Sequence, residues 1–227
     1  MKVERLTRLG AFALAAALAA APESGAAQQD YAWAAGFYGG GMWFSPLNDG
    51  GNAPAALELD PGWVAGVQGE HWFSQLGGHV GMRVNGEMTR RPLPLPGETR
   101  DIGVWMLDAG LMVRLLPPTQ STRFNVFLSA GGGVVRYRLG DGPPRTFVDA
   151  NARYAGDEAA RWAAVGGVGF DIITGSWWDE QPVGVRVEAV DHMVFDSPFD
   201  PLDGETFSPI HNVRLAVGLL SGFGVLR

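Results

Sequence analysis

The residues able to do chemistry are few. The chain has four histidines and no cysteine, which removes thiolate nucleophiles and metal–thiolate centres. His192 and His211 flank one connection, with Asp191, Asp196 and Ser208 close by in sequence. A Ser-His-Asp set can be drawn there, since such a set needs a carboxylate to orient an imidazole beside a hydroxyl, in any chain order. His71 and His79 flank a shorter connection with no carboxylate at metal-ligand spacing, so they read as solvated turn histidines. Asp196, Asp200, Asp203 and Glu205, set among Phe195, Phe199 and Phe207, offer the oxygen ligands that Ca²⁺ takes, although a solvated surface loop is the better account of them. The runs Gly131-Gly132-Gly133 and Gly166-Gly167-Val168-Gly169 lie inside strand-like segments, whereas a phosphate loop needs a following helix. We therefore expect no catalytic residue, no metal site and no cofactor.

A second set of charged side chains is more regular. Glu70, Glu87, Asp108 and Glu188 stand against Arg83, Arg114, Arg186 and Arg214, four of each sign, and all eight fall on the polar side of alternating segments. From residue 183, Val183, Val185, Val187 and Ala189 share one face, and Gly184, Arg186, Glu188 and His192 the other. Val213, Leu215, Val217 and Leu219 alternate with Asn212, Arg214, Ala216 and Gly218. Residues 79–88, 102–115 and 62–73 repeat the split, with Val80, Met82, Val84 and Met88, then Trp105, Leu107, Ala109, Leu111, Val113 and Leu115, then Trp63, Ala65 and Val67 on the apolar faces. A two-residue period is that of a β-strand. Residues 124–138 and 161–172 are strand-like but less cleanly divided, and residues 34–45 make a first strand whose facing the sequence leaves open.

Those are eight strands, and the connections between them alternate in length. The links at 46–61, 90–100, 139–160 and 194–209 are long and rich in Pro, Gly and Asp; those at 74–78, 117–122 and 174–181 are short. An up-and-down antiparallel meander with two unlike ends follows. Membrane barrels have short turns on the periplasmic side and long extracellular loops, which would put both termini at the periplasmic end. Facing is decided by the polar positions. They are sparse, mixed with Gly and Ala, and balanced in sign, unlike the Lys- and Glu-rich exterior of a soluble barrel. An eight-stranded barrel is just wide enough inside for side chains to fill it, so inward charges must pair there. Across the turn at 74–78 Glu70 falls opposite Arg83, and across the last connection Glu188 falls near Arg214. Trp72-Phe73 and Trp177-Trp178 sit where an interfacial girdle would lie, with packing at strand ends the alternative.

The first residues carry Lys2, Arg5 and Arg8, then an Ala- and Leu-rich run from Gly10 to Ala21, then small residues to Ala27. A run that short does not span a bilayer as a helix, and the pattern is that of a signal peptide cleaved after Ala27. The mature charge is then 17 − 3 = 14 cations against 24 − 2 = 22 anions, or −8, which argues against a nucleic-acid partner. Beyond residue 27 no apolar run is long enough to span as a helix, so any span must be a barrel strand.

With its signal peptide, eight long alternating strands, unequal loops and a closing segment from His211 to Phe223, the chain resembles the small outer-membrane β-barrels of the OmpA and OmpX kind over residues 30–227. Such barrels usually finish on an aromatic residue read by the assembly machinery; here Phe223 is followed by Gly224, Val225, Leu226 and Arg227. The resemblance implies a signal peptide at 1–27, a closed eight-stranded transmembrane barrel at 28–227, a place in the outer membrane among lipid and lipopolysaccharide, and a monomer. It implies a non-enzymatic surface or membrane-stabilising protein with a filled ionic lumen of Glu70, Arg83, Glu87, Asp108, Arg114, Arg186, Glu188 and Arg214. A narrow pore, a lipid A-modifying hydrolase and a soluble periplasmic ligand-binding barrel are the alternatives. Lipid deacylases of this architecture carry a His-x-Ser spacing, and here His211 is followed by Asn212 and Val213.

Overall fold

A computed structural model describes residues 31–47, 59–95, 98–116, 124–140, 147–149, 152–154, 158–176, 181–195 and 209–225. The barrel strands are β1 (Tyr31–Phe44), β2 (Gly62–Trp72), β3 (Val80–Leu95), β4 (Glu98–Arg114), β5 (Phe124–Leu139), β8 (Glu158–Ser176), β9 (Pro182–Val194) and β10 (Ile210–Val225). Every neighbour in the closed ring pairs antiparallel, and β1 closes it against β10. A separate two-stranded hairpin, β6 (Phe147–Asp149) with β7 (Ala152–Tyr154), lies within the connection from β5 to β8. The chain is thus a closed all-β, up-and-down eight-stranded barrel.

Alternation sets the two surfaces. On β2 the even positions Val64, Gln68, Glu70 and Trp72 are buried, and on β3 the odd positions Gly81, Arg83, Asn85, Glu87, Thr89 and Arg91. The same period buries Asp108 and Arg114 on β4, Arg186, Glu188 and His192 on β9, and Asn212 and Arg214 on β10. The partners on the other parity, among them Val67, Val84, Leu107, Leu111, Leu215 and Leu219, are exposed. The middle of the barrel is polar within and apolar without. On β1, whose facing the sequence left open, Tyr38 and Met42 point in and Trp33, Phe37 and Trp43 point out.

The connections differ from expectation at two places. Residues 90–100 are not a long loop: β3 runs to Leu95 and β4 starts at Glu98, with Pro92 opposite Asp101 and Pro94 opposite Thr99. The prolines are tolerated because β2 pairs with β3 no further than Met88, so their missing amide hydrogens take nothing from a neighbouring ladder. The link 139–160 is likewise shortened, since β8 begins at Glu158 and the β6–β7 hairpin occupies part of it. At the short-connection end, residues 74–78 form a 3₁₀ turn over Ser74–Leu76, followed by Gly77 and Gly78 at φ 63° and 71°, a conformation glycine adopts without strain.

Gly110 and Gly131 face each other across β4 and β5. A Cβ on Gly131 would lie 2.2 Å from the Ala109 carbonyl oxygen, whereas one on Gly86 would meet nothing within 4 Å. Gly131→Ala should therefore cost about 1–3 kcal/mol through overpacking, and Gly86→Ala should stay within about 0.5 kcal/mol. Urea unfolding followed by tryptophan fluorescence measures both, and equal costs would contradict the packing described.

Candidate functional site

The lumen is stacked in three layers. At the short-connection end Tyr31, Trp72, Met112, Phe127, Ile173 and Leu220 form an apolar layer. Towards the other end Met42, Leu93, Ile102, Val135, Tyr137 and Leu139 belong to a second. Among the described residues, five carboxylates, four arginines and a histidine lie between these layers, Glu70, Glu87, Asp108, Asp171 and Glu188 with Arg83, Arg114, Arg186, Arg214 and His192, all buried, and Arg91 and Arg100 are buried nearer the long-connection end.

Their pairing crosses the barrel. In the ring order, β3 and β9 stand on opposite sides, and Arg83 Nη1 of β3 donates to Glu188 Oε2 of β9 at 2.7 Å. Arg214 of β10 donates to both Glu188 and Glu87, and Tyr38 Oη donates to Glu87 Oε2 at 3.0 Å. His192 Nε2 lies 3.3 Å from both Glu87 Oε1 and Asp108 Oδ2, and Asn85 Nδ2 donates to Asp108 Oδ1 at 2.9 Å. Below this chain Arg186 donates through Nε and Nη2 to Asp171 at 2.7 and 2.9 Å and through its Nη atoms to Glu70. Planar guanidinium forks suit such carboxylates, and their faces suit aromatic rings. Arg186 lies 4.3 Å from the centroid of Phe127, Arg214 4.2 Å from that of Tyr38, and Arg114 is held between Trp72 at 3.7 Å and Tyr31 at 4.8 Å.

The structure places all eight expected lumen residues inside: Glu70, Arg83, Glu87, Asp108, Arg186, Glu188 and Arg214 join bonded groups, and the Arg114 guanidinium lies against two aromatic rings. Glu70 is opposite Arg83 in the register, yet its ion pair runs to Arg186 and that of Arg83 to Glu188. Neighbouring strands place the backbones, while long side chains reach across a lumen only one pair wide. Asp171, His192, Asn85 and Tyr38 join the network as well. His192 lies on the polar face already visible in the sequence, while glycines on both faces of β8 obscure the parity of Asp171.

Among the described residues no catalytic set forms around the histidines. His192 points into the lumen and His211 outward. His211 Nδ1 lies 2.7 Å from Asp191 Oδ2, but the hydroxyl beside His211 is that of Ser45, which accepts from its backbone N–H at 2.7 Å and donates to its carbonyl at 3.2 Å. Ser208, Asp196, Asp200, Asp203, Glu205 and Trp177-Trp178 lie outside the described residues. His71 stacks 4.1 Å from Trp33, and His79 Nδ1 lies 3.4 Å from the Arg114 carbonyl oxygen, so the two do not pair. Among the described residues no three His or acidic side chains could hold a metal.

The exterior has its own order. Following Cα partners round the ring from Ala35 through Gly69, Val84, Ala109, Gly132, Ala164 and Met193 to His211 leads back to β1 at Ser45, a climb of 45 − 35 = 10 positions. The strands are therefore tilted by about 40°, and equal height is reached by stepping back 10/8 of a position per strand. On that basis Trp43, Trp63, Trp105 and Trp162, all exposed, fall at one height within about one residue. Trp33, Phe73, Phe124 and Phe223 make a second ring about 27 Å below it. Between the rings the outward positions carry Gly, Ala, Val, Leu, Ile, Met and Phe, with Asp191, His71 and Ser221 the polar exceptions among the described residues. Trp72, expected in a girdle, is instead inside, stacked against Arg114, because position 72 shares the parity of Glu70.

No family model matches the sequence. Nor does any curated protein. Among solved structures, Neisserial surface protein A superposes with a TM-score of 0.53 at 10% identity, over 84% of this chain and 97% of that one. The chain has the fold of the small outer-membrane β-barrels. It also aligns with Ail, the attachment invasion locus protein of Yersinia pestis (TM-score 0.45, 8% identity, 86% of this chain and 100% of that one), and with the outer membrane protein OprG of Pseudomonas aeruginosa (0.47, 12%, 86% and 98%).

Arg214→Ala would leave Glu87 and Glu188 facing each other with one fewer cation, a loss of about 3–5 kcal/mol for a broken buried pair. Arg90→Ala removes a pair with Asp101 whose side chains are 68% and 50% exposed, and should cost less than about 1 kcal/mol. Urea titration of the refolded variants compares them, and a cost for Arg214→Ala no larger than that for Arg90→Ala would contradict the buried network.

Proposed function

We propose that this chain is an integral outer-membrane barrel without catalytic activity, exported on a cleaved signal peptide of residues 1–27. Its filled lumen passes no current, and its long-connection end faces the outside. The observation that carries the reading is the pair of aromatic rings. They bound an outward apolar band about 27 Å high, close to the ~25 Å band and two aromatic girdles of outer-membrane barrels. A soluble barrel would leave this band in water and its charged lumen groups in the interior, both against the usual partition of side chains.

The lumen supports the non-conducting part of the reading. Guanidinium–carboxylate pairs tie opposite walls together between two apolar layers, and moving them aside would strand buried charge. Lipid covers the outward band and the barrel-assembly machinery inserts it; each barrel stands as a monomer, its surface role resting on the connections at the long end.

The test is fractionation with gel mobility, followed by reconstitution. The protein is expected in the outer-membrane fraction, to migrate differently before and after boiling in detergent, and to leave planar bilayers electrically silent. Soluble protein with unchanged mobility would contradict membrane insertion. Steady unitary currents would contradict the closed lumen, and fatty acid released from lipid A by the purified barrel would contradict the absence of catalysis.

A further inference from the structure

At and just above the tryptophan ring, one sector of the exterior combines charge with an opening. In the register Arg90 of β3 is the partner of Gly103 of β4, and Gly103 is the partner of Arg138 of β5. Two exposed, outward arginines thus flank a position that has no side chain. The atoms nearest to a Cβ built on Gly103 are Trp105 Nε1 at 3.7 Å and the Arg138 carbonyl oxygen at 3.8 Å, so the space above it is open and the indole N–H of a ring tryptophan lies at its edge. Arg136, also outward, is the register partner of Trp105. Arg90 and Arg138 therefore flank one gap with an indole N–H at its edge, Arg136 stands one outward position below Arg138 with its guanidinium turned to Glu158 of β8, and Met88, Leu107 and Val134 lie on the same outward face below.

The carboxylates nearby do not close the site. Arg90 pairs with Asp101 at 2.9 Å and Arg136 with Glu158 at 2.5 Å, with all four side chains 44–68% exposed. Pairs so wetted hold their partners weakly and can exchange for a stronger acceptor. Arg138 makes no ion pair among the described residues.

We propose that this sector binds the phosphomonoester of a membrane lipid in the outer leaflet, with Arg90, Arg136 and Arg138 on the phosphate and the acyl chains against the band beneath Gly103. The inference rests on the membrane placement proposed above. Guanidinium forks read phosphate bidentately, and the height of the aromatic ring is that of the headgroups. The apolar floor directly below favours a phosphate that carries acyl chains over a free one.

The probe is lipid A doped into phosphatidylcholine nanodiscs that hold the full mature barrel, with lipid A molecules retained per barrel counted by native mass spectrometry. Wild type should retain lipid A in preference to phosphatidylcholine. Arg90→Gln with Arg138→Gln should lower retention on the order of tenfold or more, the scale of one lost charge-assisted contact. Gly103→Leu should do the same by filling the gap while the charge is unchanged, whereas Asp101→Asn with Glu158→Gln should raise retention. Each variant is compared at matched heat-modifiable mobility, so that loss of folding is read separately. Equal retention of both lipids, an unaffected Gly103→Leu variant, or complete displacement of lipid A by inorganic phosphate would overturn the proposal. A barrel that inserts but shows no preference defeats this inference alone, whereas one that never enters the nanodisc defeats the membrane reading beneath it.

Discussion

Charges buried in a closed ring of strands are the constraint from which the rest of the structure follows. A carboxylate or guanidinium removed from water costs several kcal/mol unless it is paired and hydrogen-bonded, and the lumen of this barrel holds five carboxylates. Arg83, Arg186 and Arg214 meet three of them, Glu188, Glu70 and Glu87, across the interior, while Arg186 also holds Asp171 of the adjacent strand, so the two walls must stay at the separation those side chains can span. Ring closure and fixed width are then one condition. The aromatic rings beneath or beside Arg114, Arg186 and Arg214 occupy the faces that carboxylates cannot serve, and the layers at either end keep water from the pairs.

Through the middle of the barrel, where the polar side chains are committed inward, a period of two sends their apolar neighbours outside. The same register that brings Arg83 to the lumen sends Met82 and Val84 to the exterior. The climb of ten positions round the ring then gathers tryptophans that lie far apart in sequence, Trp43, Trp63, Trp105 and Trp162, at one height. Lateral order on the outside and ionic order on the inside are two readings of one hydrogen-bonded ladder.

Much of this was legible in the sequence. The alternation from 183 to 192 gave the facing of Arg186 and Glu188 directly, and the parity of Gln68 and Glu70 already placed Trp72 inside, although its neighbour Phe73 suggested a girdle. Three features were harder to read. The facing of β1 is hidden by glycines at 36, 39, 40 and 41, which leave both faces small. Pro92 and Pro94 read as loop signals, yet Thr89, Arg91 and Leu93 continue the inward parity of Glu87, and an edge beyond the reach of β2 needs no donors there. Which acid meets which arginine depends on ring closure and tilt, so adjacency suggested Glu70 with Arg83 where the lumen joins Glu70 to Arg186.

The central claim is that the outward band of this inside-out barrel lies in lipid, and the absence of cysteine makes it directly measurable. A nitroxide label is placed at Val84→Cys and at Val168→Cys, midway between the two aromatic rings, and at Arg90→Cys, above the upper one, in barrels reconstituted into bilayers. Relaxation by oxygen and by a water-soluble nickel chelate is then compared. The account predicts strong oxygen and negligible chelate accessibility at positions 84 and 168, with the reverse at position 90. Free access of the chelate to the labels at 84 and 168 would contradict it.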